Sequence, residues 1–104
     1  MIYFAHQITP LAGKRDALIE TNSGIRKIFE SHGAKTIGAF KVALGQDDGS
    51  LLYFSAYPSM TAASATWEAL QKDSNWRALM KQSETMIASV NSGLLEPLPD
   101  SPLQ

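Results

Sequence analysis

The chain has 104 residues, 44% of them apolar and 18% charged, with nine basic against ten acidic side chains. A net charge of −1 leaves no field able to gather nucleic acid or an anionic membrane surface, and no apolar stretch approaches the roughly 20 residues that cross a bilayer. With no cysteine there is no disulfide framework, no thiolate nucleophile and no sulfur-bound zinc site.

This length predicts one domain, residues 1–104. Residues 2–8 alternate as a strand does. Ile2, Phe4, His6 and Ile8 point one way, and Tyr3, Ala5 and Gln7 the other. Both sets are apolar enough to need cover, so the sheet is expected to carry its own helices on one face and a second copy of the chain on the other. Pro10 and Gly13 end the strand.

From Lys14 the period becomes helical. Leu18, Ile25, Ile28 and Phe29 form the stripe, while Arg15, Glu20, Arg26, Lys27 and Glu30 take the outside. Gly24 interrupts this helix at about 1 kcal/mol relative to alanine, for close packing on the sheet or a small kink. Gly33 stands where a left-handed cap should close it. Residues 34–44 return to strand chemistry through Thr36, Ile37, Phe40, Val42 and Leu44. Gln46-Asp47-Asp48-Gly49 predicts a tight hairpin turn, and its acidic pair is too short a ligand series for calcium.

Residues 51–57 form the third strand. Leu52, Phe54 and Ala56 are assigned to the helix-bearing face, and Tyr53, Ser55 and Tyr57 to the open one. Ser59 is a natural N-cap for a helix that carries Ala63, Trp67 and Leu70 and ends near Lys72. Asp73 or Ser74 caps a second, short helix bearing Trp76, Leu79 and Met80. Both tryptophans fit apolar stripes and are read as core. Residues 85–95 form the last strand, with Met86, Ile87, Val90 and Leu94 as apolar members. Pro97, Pro99 and Pro102 predict an extended tail over 97–104, its leucines laid across a partner.

The order β-α-β-β-α-β predicts an α+β, ferredoxin-like domain. It has an antiparallel four-stranded sheet, helices on one face, and the first and third strands as central neighbours. A monomer rarely leaves an amphipathic, tyrosine-bearing face in water. At about 25 cal/mol per Å², covering it strongly favours a homodimer. Two such sheets pair into a dimeric α/β barrel, whose lumen is the expected small-molecule site.

Several short motifs, in order, resemble the NIPSNAP family. They are Met1-Ile2-Tyr3, Gly13-Lys14, His32-Gly33-Ala34-Lys35, Tyr57, Asn75-Trp76 and Leu94-Leu95-Glu96-Pro97-Leu98. The resemblance spans essentially the whole chain and implies the dimeric α/β-barrel fold, which that family shares with antibiotic-biosynthesis-type monooxygenases. No general enzymatic activity is established for that family, so the resemblance brings none with it, and animal members are linked to mitochondria and vesicle traffic. The chain departs from the family pattern at Phe4 and His6, where glutamate and arginine are common. It departs again at Tyr53 and Ser55, where histidine and tryptophan are common, and near Asn91, where an acid is common. The resemblance therefore implies a less charged lumen here than in many relatives.

His6 is the candidate catalytic residue: on a central strand facing a semi-apolar lumen, an imidazole can move protons near neutrality. The plainer reading is a buried histidine bonded to a tyrosine or a backbone carbonyl. Phe4, His6, Tyr53, Ser55 and Tyr57 are the expected ligand-binding set, the tyrosine hydroxyls orienting a polar group; the plainer reading makes the tyrosines interface packing. His32, at a helix C-terminus, suits the dipole and reads as structural. No metal is expected from two distant histidines without acidic companions, and no cofactor without a Gly-rich phosphate loop. Nor is there a nucleophile elbow. Met1 leads directly into strand with no basic n-region or apolar h-region, so a cytoplasmic location is expected. Two functions follow as expectations. The first is a homodimeric module binding a small apolar or aromatic ligand or a partner protein. The alternative is a cofactor-independent monooxygenase- or isomerase-type enzyme acting on an aromatic substrate in the lumen, with His6 and a tyrosine moving protons.

Overall fold

A computed structural model describes residues 1–45 and 49–104. The order is β1 (Ile2–Pro10), α1 (Arg15–Ser31), β2 (Lys35–Lys41), β3 (Leu51–Tyr57), α2 (Met60–Gln71), α3 (Ser74–Glu84) and β4 (Ile87–Leu95). The sheet runs β2-β3-β1-β4, every neighbouring pair antiparallel, with β1 and β3 central. This is the ferredoxin-like α+β arrangement expected from the element order. No helix among the described residues is long and apolar enough to cross a membrane.

The ends of the elements follow local chemistry. Helix α1 closes in a Schellman motif: Gly33 takes φ +102°, its N–H donates to the Glu30 carbonyl, and the Ala34 N–H donates to that of Phe29. The Ser59 hydroxyl accepts from the Ala62 N–H at 3.1 Å and opens α2. The Asp73 carboxylate accepts from the N–H groups of Asn75 and Trp76 and opens α3. The last strand starts two residues later than predicted, because Thr85 and Met86 close α3 with N–H bonds to Gln82 and Ser83. Gly24 is where α1 meets α3, not the sheet: an added Cβ there would stand 3.3 Å from Leu79 Cδ1.

The predicted turn at Gln46-Asp47-Asp48-Gly49 lies outside the described residues from 46 to 48. On either side of it Val42 and Ser50 are joined by a 2.8 Å backbone bond. Strand β2 is shorter than residues 34–44 suggest and carries a register shift between Thr36 and Gly38. The tail is not extended. It turns back on itself, the Gln104 amide donating to the Leu98 and Ser101 carbonyls while the Tyr3 hydroxyl donates to the Gln104 carbonyl.

The register assigns the faces. In β1, Phe4 lies opposite Ser55, His6 opposite Tyr53 and Ile8 opposite Leu51, so these residues share one side of the sheet. That side is the helix-bearing one. Ile8 and Leu51 pack with Leu18 of α1, and Tyr57 packs with Ala34 and with Ala63 of α2. The expectation that Tyr53, Ser55 and Tyr57 face away from the helices is therefore corrected. Alternation ranks Leu52, Phe54 and Ala56 as the more apolar set of β3, and the structure overrides that ranking. Tertiary contacts decide instead: Asn22 of α1 donates to the Tyr53 hydroxyl at 3.3 Å. The open face carries Tyr3, Ala5 and Gln7 with Leu52, Phe54 and Ala56. There Phe40, 59% exposed, packs edge-on against Phe54 at 6.0 Å.

Candidate functional site

A cavity of about 360 Å³ lies between the sheet and the helices of the single chain. Its floor is the helix-facing side of β1 and β3, bearing Phe4, His6, Tyr53 and Ser55. All four were expected to line a site, but one between two sheets. The fifth, Tyr57, does not line the cavity. It is fully buried in the cluster with Ala34 and Ala63. Burial holds its phenol above the usual tyrosine range, the Ser55 side chain opposing that shift. The hydroxyl nevertheless reaches no partner at hydrogen-bonding geometry among the described residues. It is a packing residue with an unsatisfied polar end, too enclosed to meet a ligand.

The helices form the roof. Asn22, Arg26 and Phe29 come from one side of α1, Trp67 from α2, and Trp76, Met80 and Glu84 from α3. Trp67 is the hub of an aromatic wall, meeting Phe4 at 5.5 Å, Phe29 at 5.3 Å and Trp76 at 6.3 Å, each edge-on. Trp76 is 7% exposed and its indole N–H has no hydrogen-bond partner among the described residues. The two tryptophans are core, as their spacing suggests, and wall as well. Arg26 was placed outside by its charge. The signal that it belongs to the roof is positional: residues 22, 26 and 29 are one and two turns apart on a helix, on the same side as Ile25.

His6 sits at the centre of the floor. Its Nδ1 lies 2.6 Å from the Ser92 hydroxyl of β4, and its ring stacks on Phe4 at 5.6 Å with 28° between planes. Burial lowers its pKa below the ordinary 6.5, because the cation would lose hydration. The imidazole is therefore neutral at pH 7, with one nitrogen held by Ser92. The other histidine is structural: His32 Nε2 lies 2.8 Å from Asp73 Oδ2, joining the end of α1 to the start of α3. That hydrogen bond, with those from Trp76 and Asn75, holds the Asp73 carboxyl below its usual range.

A two-layer ferredoxin-like domain with an aromatic cavity under its helices defines the class, a small α+β protein with an internal ligand-sized site. The chain belongs to the NIPSNAP family, whose model matches residues 10–102. It is similar to a NIPSNAP family protein from Agrobacterium tumefaciens, at 20% identity over 99% of this chain and 98% of that one, with a TM-score of 0.88. An uncharacterized NIPSNAP domain protein from Burkholderia xenovorans aligns at 20% identity over 98% and 99%, TM-score 0.86. A candidate antibiotic biosynthesis monooxygenase from Nitrosomonas europaea shares the fold at 12% identity over 94% and 99%, TM-score 0.71. No functionally curated protein matches the sequence significantly.

Proposed function

We propose that this NIPSNAP-family chain is a homodimeric binding module that holds a small apolar or aromatic ligand between its own helices and sheet. The observation that carries the reading is the cavity: about 360 Å³, walled by Phe4, Phe29, Trp67 and Trp76, with a few polar groups at fixed positions. Such a combination of apolar wall and sparse polar anchors is what small-molecule sites share. The two copies pair through the open face, where Phe40 stands 59% exposed beside Phe54. A cytoplasmic setting accords with a chain free of cysteine.

The test is isothermal titration with a panel of neutral mono- and bicyclic aromatics, on the wild type and on Ser55→Trp, which fills the floor. Binding to the wild type at micromolar to millimolar concentration, lost in a folded Ser55→Trp, supports the reading. A wild type that binds neither this panel nor an aromatic acid, or equal binding to both proteins, refutes it.

The His6 geometry favours a second reading, the cofactor-independent enzyme, in which this neutral imidazole takes a proton from an aromatic substrate. The likeness to a monooxygenase fold supports it only as far as architecture goes. Turnover that survives in His6→Gln would remove that role.

A further inference from the structure

We propose that the ligand is a planar aromatic acid, its rings among Phe4, Phe29 and Trp67 and its carboxylate on Arg26. The inference rests on the binding reading above and deepens it. Arg26 is half-buried in the cavity wall and makes no ion pair or hydrogen bond among the described residues. Its polar neighbours in the wall are otherwise engaged, Asn22 with Tyr53 and His6 with Ser92. A guanidinium beside an apolar cavity and without an ion-pair partner among the described residues is available to an anion supplied from outside.

The charge count in the wall sets the anion. Arg26 is the one arginine or lysine among the lining residues, and His6 is held neutral, so the site offers a single positive charge. Glu84, the other charged lining residue, is exposed at the last position of α3 and does not pair with Arg26. One guanidinium with a carboxylate in the same wall suits a singly charged group that accepts a bidentate fork. A phosphate dianion would meet Glu84 with no second cation. The walls set the shape, since aromatic edges and faces at 5.3 and 5.5 Å from the Trp67 centroid favour a flat ring system. The volume of about 360 Å³ leaves room for a fused bicycle bearing one acid group.

The experiment is calorimetric titration of the whole chain at neutral pH with a matched pair, 2-naphthoate and 2-naphthamide. The two are equal in size and differ in charge. The expected result is a preference of about ten-fold or more for the naphthoate in the wild type. It should be abolished in Arg26→Gln with naphthamide affinity unchanged, and partly kept in Arg26→Lys. Circular dichroism confirms that both variants are folded. Equal affinity for the pair, or a preference that survives Arg26→Gln, overturns the anionic anchor and leaves the cavity reading standing. If neither compound binds while neutral aromatics of the panel do, the aromatic acid alone is refuted. If nothing binds at all, the cavity reading falls with it.

Discussion

His6 illustrates how burial, more than partners, sets a side chain's behaviour in this protein. Its folded pKa lies below 6.5, so as pH falls the unfolded chain takes up the proton first. The contribution to stability is complete above 6.5 and declines as pH drops from there through the folded value. His6→Gln should flatten the pH profile of the melting temperature just below 6.5; parallel profiles would show that the imidazole is not held neutral. At Gly33 the controlling factor is backbone geometry instead. A φ of +102° is strained for any residue with a Cβ, so Gly33→Ala should cost about 1–2 kcal/mol in denaturant unfolding.

Among the elements, α3 depends most on a single group. Asp73 caps its first turn and holds His32 of the preceding helix–strand junction. Its carboxyl pKa is depressed below 3.8, so the stabilisation is present above 3.8 and is lost as pH falls through the folded value. Asp73→Ala should lower the melting temperature at neutral pH, and the gap to wild type should close in acid. Leu70 tests the packing of α2: it is fully buried with Ile25 and Trp76, and Leu70→Ala should cost about 2–5 kcal/mol in the same unfolding assay. Element order, the Ser59, Asp73 and Gly33 caps, and the central β1–β3 pair were legible because period and capping chemistry are local. The face of β3 was not, since the hydroxyl-free set Leu52, Phe54 and Ala56 reads as the helix-facing one and the Asn22 bond that turns Tyr53 to the helices is remote in sequence. The same limit hid Arg26, whose charge reads as solvent-facing until the helix is laid over the sheet.

The whole molecule is a slab of 39 × 36 × 17 Å, with its cavity on the side away from the open face. This separates assembly from binding. Light scattering should give the mass of two chains, and Phe40→Glu should give one. That single-chain variant should still bind aromatic ligands, because Phe40 does not line the cavity. A monomeric wild type would refute the pairing and leave the cavity untouched. Deleting residues 97–104 removes the hydrogen bond between Tyr3 and Gln104 and should lower thermal stability; an unchanged melting temperature would show that the tail is a passenger.

Trp67 and Trp76 are the only indoles in the sequence, and both stand in the cavity wall. The chain therefore carries a built-in optical gauge. Trp76, enclosed and without a partner for its N–H, should emit at short wavelength and shift to the red when the fold opens. A guest resting against Trp67 should change the intensity with little change in that colour. Occupancy and unfolding can then be told apart in one cuvette, with no label added.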